Sequence, residues 1–400
     1  MRPPFASRSL AALLFLGAAV GTGALVWYSP PAPPPPAPAR ATSPGALSDS
    51  AFAALVARIS EPGGSFDTDN LVSNEDAYLK VMGALARLGL RGGAYVGVGP
   101  DQSFSYIARL KPRIAFIVDI RRDNLLDHLL LKALFHLAPT RVEYMAGLFG
   151  RRPPSDAAVW RDRSVAELVA WVDSMPVDPS YVEHLHALIA RDAASHGIPL
   201  SERDQATIRR FHRTFIEAGP SLRFHSYGRR AWSYYPTWER LARETDLEGR
   251  EASFLATEDA YAFVRQLQEA NLVVPVVGDL AGPHAVREIG TVLREMGLDV
   301  SAFYTSNVEF YLWRQGRFDA WARNLASLPA APGAVVIRSY FGNRARPHPS
   351  AMRGYHSVQS LQEVADLLRV QQAGGFTSYY DLATRDAVAL ESRSANRTFR

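Results

Sequence analysis

The chain has 400 residues, 47% hydrophobic and 21% charged, enough to bury a large core in one or two domains. Its 44 basic and 40 acidic residues leave a net charge of +4, with no basic stripe of the kind that nucleic acid requires. There is no cysteine, so disulfides, thiolate catalysis and cysteine metal sites are excluded.

Residues 10–28 form an uncharged apolar run behind Arg2 and Arg8, long enough to cross a bilayer. Positive charge ahead of the run predicts a single-pass inner-membrane protein with its globular part facing the periplasm. Seven prolines between residues 29 and 39 predict a stiff spacer, which suits a retained anchor. Ala37-Pro38-Ala39 also suits signal cleavage and secretion, so both outcomes stand. The expected organisation is a membrane segment to residue 28, a proline-rich linker at 29–48 and the first part of an α/β domain at 49–150. A helical insertion or cap at 151–250, the second part of the α/β domain at 251–390 and a basic tail at 391–400 follow.

Residues 51–59 read as a short amphipathic helix, broken by Glu61-Pro62-Gly63-Gly64. Ser73-Asn74-Glu75-Asp76 reads as the start of a helix that runs to residue 88. Glu75 then either faces the helix dipole or lies near the next turn. Residues 94–98 are a short apolar run closed by glycines, which suits a buried parallel strand. Gly97 and Gly99 allow a tight turn and a close approach of ligand to backbone. A short helix over 103–110 leads to a second strand over 114–118. Asp119 ends that strand, at the interval where nucleoside-binding sheets place an acid for the ribose hydroxyls. Gln102 stands where an NAD fingerprint needs a small residue, so the NAD reading is damaged. Arg121 and Arg122 read as solvated or as partners for an anionic group. A long helix with a leucine face follows over 125–137.

From residue 151 the pattern turns helical and strand-poor. Helices are expected over 165–175, 181–194 and 204–218. Five of the ten histidines fall in this stretch, but His184 and His186 point apart on a helix and no His-Glu-x-x-His pattern exists. They read as structural or surface histidines, and no metal is expected. Residues 224–238 are aromatic and basic, with Tyr227, Arg229 and Trp232 as candidates to wall a flat substrate. A packed joint between cap and sheet is the other reading.

The strand pattern resumes at residues 272–277, 299–305 and 334–339, with helices over 284–296 and 318–328 between. Residues 358–372 read as one amphipathic helix, and 376–382 as an edge strand. Alternation of this kind predicts an α/β fold: a Rossmann-like, mostly parallel sheet with a helical insertion and an N-terminal membrane segment. Ligands in such sheets sit at the strands' carboxyl ends. Gly97, Gly99, Asp101, Asp119 and Asp279 fall there as candidate cofactor residues. Asn307, Glu309 and Phe310 fall there as candidates on the substrate side.

The runs at 95–102, 116–122, 275–282 and 306–312 resemble a family of poorly characterised bacterial proteins with a methyltransferase-like fold, across roughly residues 67–382. The resemblance implies that Gly97, Gly99 and Asp119 hold S-adenosylmethionine (SAM). Asn307-Val308-Glu309-Phe310 stands where some amino-methyltransferases carry Asn-Pro-Pro-Tyr, without the prolines. Two functions follow as expectations. One is a membrane-anchored SAM-dependent methyltransferase of unknown substrate. The other is a non-catalytic envelope protein that binds a small molecule or protein partner on the same fold.

Overall fold

In a computed structural model, residues 45–228, 232–342 and 347–391 are described. The expected membrane segment, most of the proline-rich linker, Arg229 and nearly all of the basic tail lie outside these residues. Among the described residues, no helix is long and apolar enough to cross a membrane.

The chain enters through α1 (Asp49–Ile59), capped by Ser48, and a short 3₁₀ turn leads to α2 (Met82–Arg87). Then come β1 (Ala94–Gly97), α3 (Gln102–Leu110), β2 (Ile114–Asp119) and the long α4 (Arg122–Leu137). Next are α5 (Arg141–Leu148), α6 (Val165–Ser174), α7 (Pro179–Ser195), α8 (Glu202–Ala218), α9 (Trp238–Ala242) and α10 (Glu258–Glu269). The second half holds β3 (Val273–Val277), α11 (Ala285–Glu295), β4 (Val300–Ser306), α12 (Val308–Arg314), α13 (Phe318–Ala326) and β5 (Ala330–Tyr340). It closes with β6 (Val358–Glu363), α14 (Val364–Gln372) and α15 (Tyr379–Thr384).

The six strands lie in the order β3-β2-β1-β4-β5-β6. All neighbours are parallel except β5 and β6, which pair Tyr340 with Val358 in antiparallel register. The two halves of the chain thus build one mostly parallel α/β sheet. Its inner strands are buried along their length, as expected of strands covered by helices on both faces. Pro275 lies within β3 and has no N–H for a ladder. It is tolerated because β3 is an edge strand.

Helices α7 and α8 pack on α4. At the carboxyl ends of the strands, Asp204 of α8 meets Arg122, Arg210 of α8 meets Asp69, and Phe224, in the segment after α8, lines a cavity. The caps of α5, α6 and α8 are reciprocal: Thr140 with Glu143, Ser164 with Glu167 and Ser201 with Asp204. Each satisfies two of the amide donors that a helix start leaves open.

Two expectations need correction. Residues 358–363 are a strand, not the first turns of a helix; helical spacing of buried residues begins only at Val364, Leu367 and Val370. Residues 379–384 are helical, because Ser378 caps them through the Asp381 amide, so the sheet ends at β6.

Candidate functional site

The sheet order reverses between β1 and β4, and there a cavity of about 210 Å³ opens at the strands' carboxyl ends. Gly99 lies just beyond β1, Asp119 ends β2, Asp279 follows β3 and Asn307 follows β4. All four line the cavity. One sheet edge therefore brings together residues spread over more than 200 positions of sequence.

Gly99 has a φ of +81°, so the turn after β1 requires a residue without a side chain. The turn is held from below by α4. Asn124 Nδ2 and His128 Nε2 both donate to the Gly99 carbonyl, at 3.1 and 2.9 Å. Burial pushes His128 down to about 4, so the ring stays neutral at pH 7 and donates through Nε2–H.

Gly97 does not line the cavity. A side chain there would lie 2.5 Å from the Tyr95 hydroxyl, so this glycine makes room for the ring two residues earlier on the same face of β1. Asp101 also turns away from the cavity. Its carboxylate accepts from Trp238 Nε1 at 3.0 Å, and burial pushes its pKa up to about 6.

Asp119 is already engaged. Arg121 donates to it through its backbone N at 2.8 Å, Nε at 3.1 Å and Nη2 at 2.9 Å. The same guanidinium donates from Nη1 to the carbonyls of Thr68 and Asp69, at 2.6 and 2.8 Å. Arg121 is therefore buried and paired, while Arg122 is exposed and meets Asp204. The pairing clips a strap, residues 61–70, across the strand ends. The strap is also stitched by Glu61 N to the Val277 carbonyl and by Gly64 N to the Ile120 carbonyl. Thr68 Oγ1 donates to the His225 carbonyl, and Tyr227 N to that of Asp67. Beyond the neighbouring strand β3, Asp279 accepts from Arg317 at 2.7 Å. Asp119 and Asp279, the two acids that line the cavity, are thus each paired with an arginine.

The other candidates on the substrate side separate. Asn307 lines the cavity, but Glu309 is fully buried behind it. Glu309 accepts from Arg338 Nε at 2.6 Å and from Trp321 Nε1 at 3.2 Å. Phe310 packs against Tyr311 and Tyr379. The Tyr227 hydroxyl donates to Asp69, which also pairs with Arg210 at 2.8 Å. Trp232 is exposed and stacks on Tyr234. None of these four side chains lines the cavity.

Glu75 is neither a dipole cap nor solvated. It is fully buried and accepts from the hydroxyls of Tyr304, Ser306 and Ser339. Burial raises its pKa, and the three hydroxyls oppose that rise. Ser306 lines the cavity with a φ of +54°, an uncommon conformation for a residue with a side chain. The Glu75 network braces it there. Phe224 and Ser306 fall within the stretches 224–238 and 306–312 that the sequence marks, whereas the strap and Arg317 are not picked out from the sequence as site residues. They meet the site only through long-range folding, and no local pattern marks them.

Sheet and cavity define an α/β protein of Rossmann-like build with a crevice at its switch point. Within that class the chain belongs to the family described as Domain of unknown function (DUF7790), whose model matches residues 70–159 and 200–396. Residues 160–199, which carry α6 and α7, lie outside both ranges. No curated protein matches the sequence.

Proposed function

We propose that the cavity binds a nucleoside cofactor, SAM or its demethylated product, and that the protein is a methyltransferase of unknown substrate. One observation carries this reading: Gly99, Asp119, Asp279 and Asn307 converge on a single cavity from four strand ends. Close backbone approach at Gly99 and a carboxylate at the end of β2 are what a ribose-bearing ligand needs. SAM when bound supplies the methyl group. The chain's part is positioning and exclusion of water, which needs no dedicated acid–base pair.

The volume sets a condition. Ligand pockets commonly start at about 300 Å³, and this cavity is smaller. A carboxylate offers about four acceptor positions, and Arg121 occupies three on Asp119. Binding through both ribose hydroxyls therefore goes with a shift of Arg121, and that shift also releases the strap. The engaged acid favours a second reading, in which the fold binds a ligand or partner without chemistry. A periplasmic location, proposed from residues 10–28, points the same way, because it removes the domain from the compartment where SAM is made.

Calorimetric titration of the full-length protein with SAM and with its demethylated product tests the proposal. Loss of a charge-assisted contact in Asp119→Ala should weaken binding about ten- to a hundredfold. Unchanged affinity in that variant would move the ligand elsewhere. No binding to the wild type at millimolar ligand would favour the second reading.

A further inference from the structure

A second cluster lies at the other end of α4, about 20 Å along the helix from the cavity. His136 stands near the carboxyl end of α4, and Asp192 and His196 stand one turn apart at the end of α7. His136 Nδ1 is 2.8 Å from Asp192 Oδ1, and His196 Nε2 is 3.2 Å from Asp192 Oδ2. One ligand atom from each residue lies within 4.8 Å of the others.

The outward nitrogens also face acceptors. His136 Nε2 is 3.3 Å from the Gln268 carbonyl, and His196 Nδ1 is 2.9 Å from Asp49 Oδ1. Asp49 is itself fixed by Asn271 Nδ2 at 3.0 Å. A neutral imidazole has one N–H and one lone pair. With acceptors at both nitrogens, each ring must either carry a second proton or place its lone pair on a cation. In the second case the outward N–H groups donate to a carboxylate and a backbone carbonyl. That is the supporting shell typical of metal-bound histidines.

We infer that His136 Nδ1, Asp192 and His196 Nε2 form a binding site for a divalent transition metal, zinc in first place. Tetrahedral zinc with bonds of about 2.0–2.1 Å holds its ligand atoms about 3.3 Å apart. The gaps of 2.8 and 3.2 Å, which run to different oxygens of Asp192, open by up to about 0.5 Å to admit the ion, and the gap between the two imidazole nitrogens, within 4.8 Å, closes by up to about 1.5 Å. Two imidazoles and a carboxylate suit zinc better than calcium or magnesium. Three protein ligands leave a fourth position for water. The site joins α7, outside the family's matched ranges, to α4 within them, and through Asp49 it also holds α1. It is independent of what the cavity binds.

The test uses full-length protein without a polyhistidine tag, stripped of metal and titrated with Co²⁺. Stoichiometric binding with the visible absorption of tetrahedral cobalt, displaced by Zn²⁺, is expected, together with a thermal midpoint that rises with metal. His136→Ala and His196→Ala should each weaken binding by more than about a hundredfold, and Asp49→Asn, which touches only the supporting shell, by about ten- to a hundredfold. Folded wild type that takes up neither ion at millimolar concentration overturns the inference. So does undiminished binding in His136→Ala, or nitrogen NMR showing both rings as metal-free imidazolium in the presence of zinc. If a ligand variant does not fold, the wild-type titration and Asp49→Asn still decide.

Discussion

Asp101 makes the stability of this protein depend on pH in a direction opposite to that of most carboxylates. Its ordinary pKa of 3.8 is pushed up to about 6 by burial, while the Trp238 indole N–H pulls it partly back. Between those two values the folded protein keeps a proton that the unfolded chain has released. The folded state then binds more protons, so stability falls as pH rises through this window. The full effect is about 3 kcal/mol, at about 1.36 kcal/mol per pH unit. Asp101→Asn keeps an oxygen for Trp238 and cannot ionise. Urea unfolding should find wild type and variant within about 1 kcal/mol at about pH 4, and the variant more stable by about 3 kcal/mol at about pH 7. Asp127 is buried, and its pKa is raised by that burial and by the Asp101 charge, so both proteins carry Asp127→Asn and the difference between them is the quantity to read. Two curves that run parallel from about pH 4 to about pH 7 would show that water reaches Asp101, and the reasoning would fail.

Two further predictions concern the ion pairs. Glu309→Gln should cost about 3–5 kcal/mol in urea unfolding, because it strands the buried Arg338 guanidinium; it should leave ligand affinity of the folded protein unchanged, and an affinity loss would put Glu309 back at the site. Arg121→Ala should free the strap by removing charge-assisted bonds worth about 1.5–3 kcal/mol each. Hydrogen exchange of the Tyr227 amide, which donates to Asp67, should then speed up about tenfold or more while β1 and β2 stay protected. An unchanged rate at Tyr227 would mean that Arg121 does not hold the strap.

Much of the fold is legible because the inner strands are short, apolar and closed by turn residues. The runs around Val96, Ile117, Val276 and Phe303 could be placed from pattern alone, since a strand buried on both faces leaves no polar alternation. Pattern failed at residues 358–372, where a strand passes directly into a helix with no glycine or proline between. Strand β6 exists because β5 offers it an edge, and no local property announces that edge.

The cavity divides in the same way. A turn that needs φ above zero, and an acid at a strand's end, are local requirements. Gly99, Asp119, Asp279 and Asn307 could therefore be named before any partner was known. What their neighbours do is a matter of long-range contact. Gly97 serves Tyr95, Asp101 serves Trp238 and Glu309 serves Arg338, because each side chain's environment is set by elements packed from elsewhere. His136, Asp192 and His196 illustrate the same limit: the last two share a helix face by spacing, but only the packing of α7 on α4 brings the first within reach. Backbone demands are written residue by residue, whereas the charge and solvation of a side chain depend on which distant atoms replace its water.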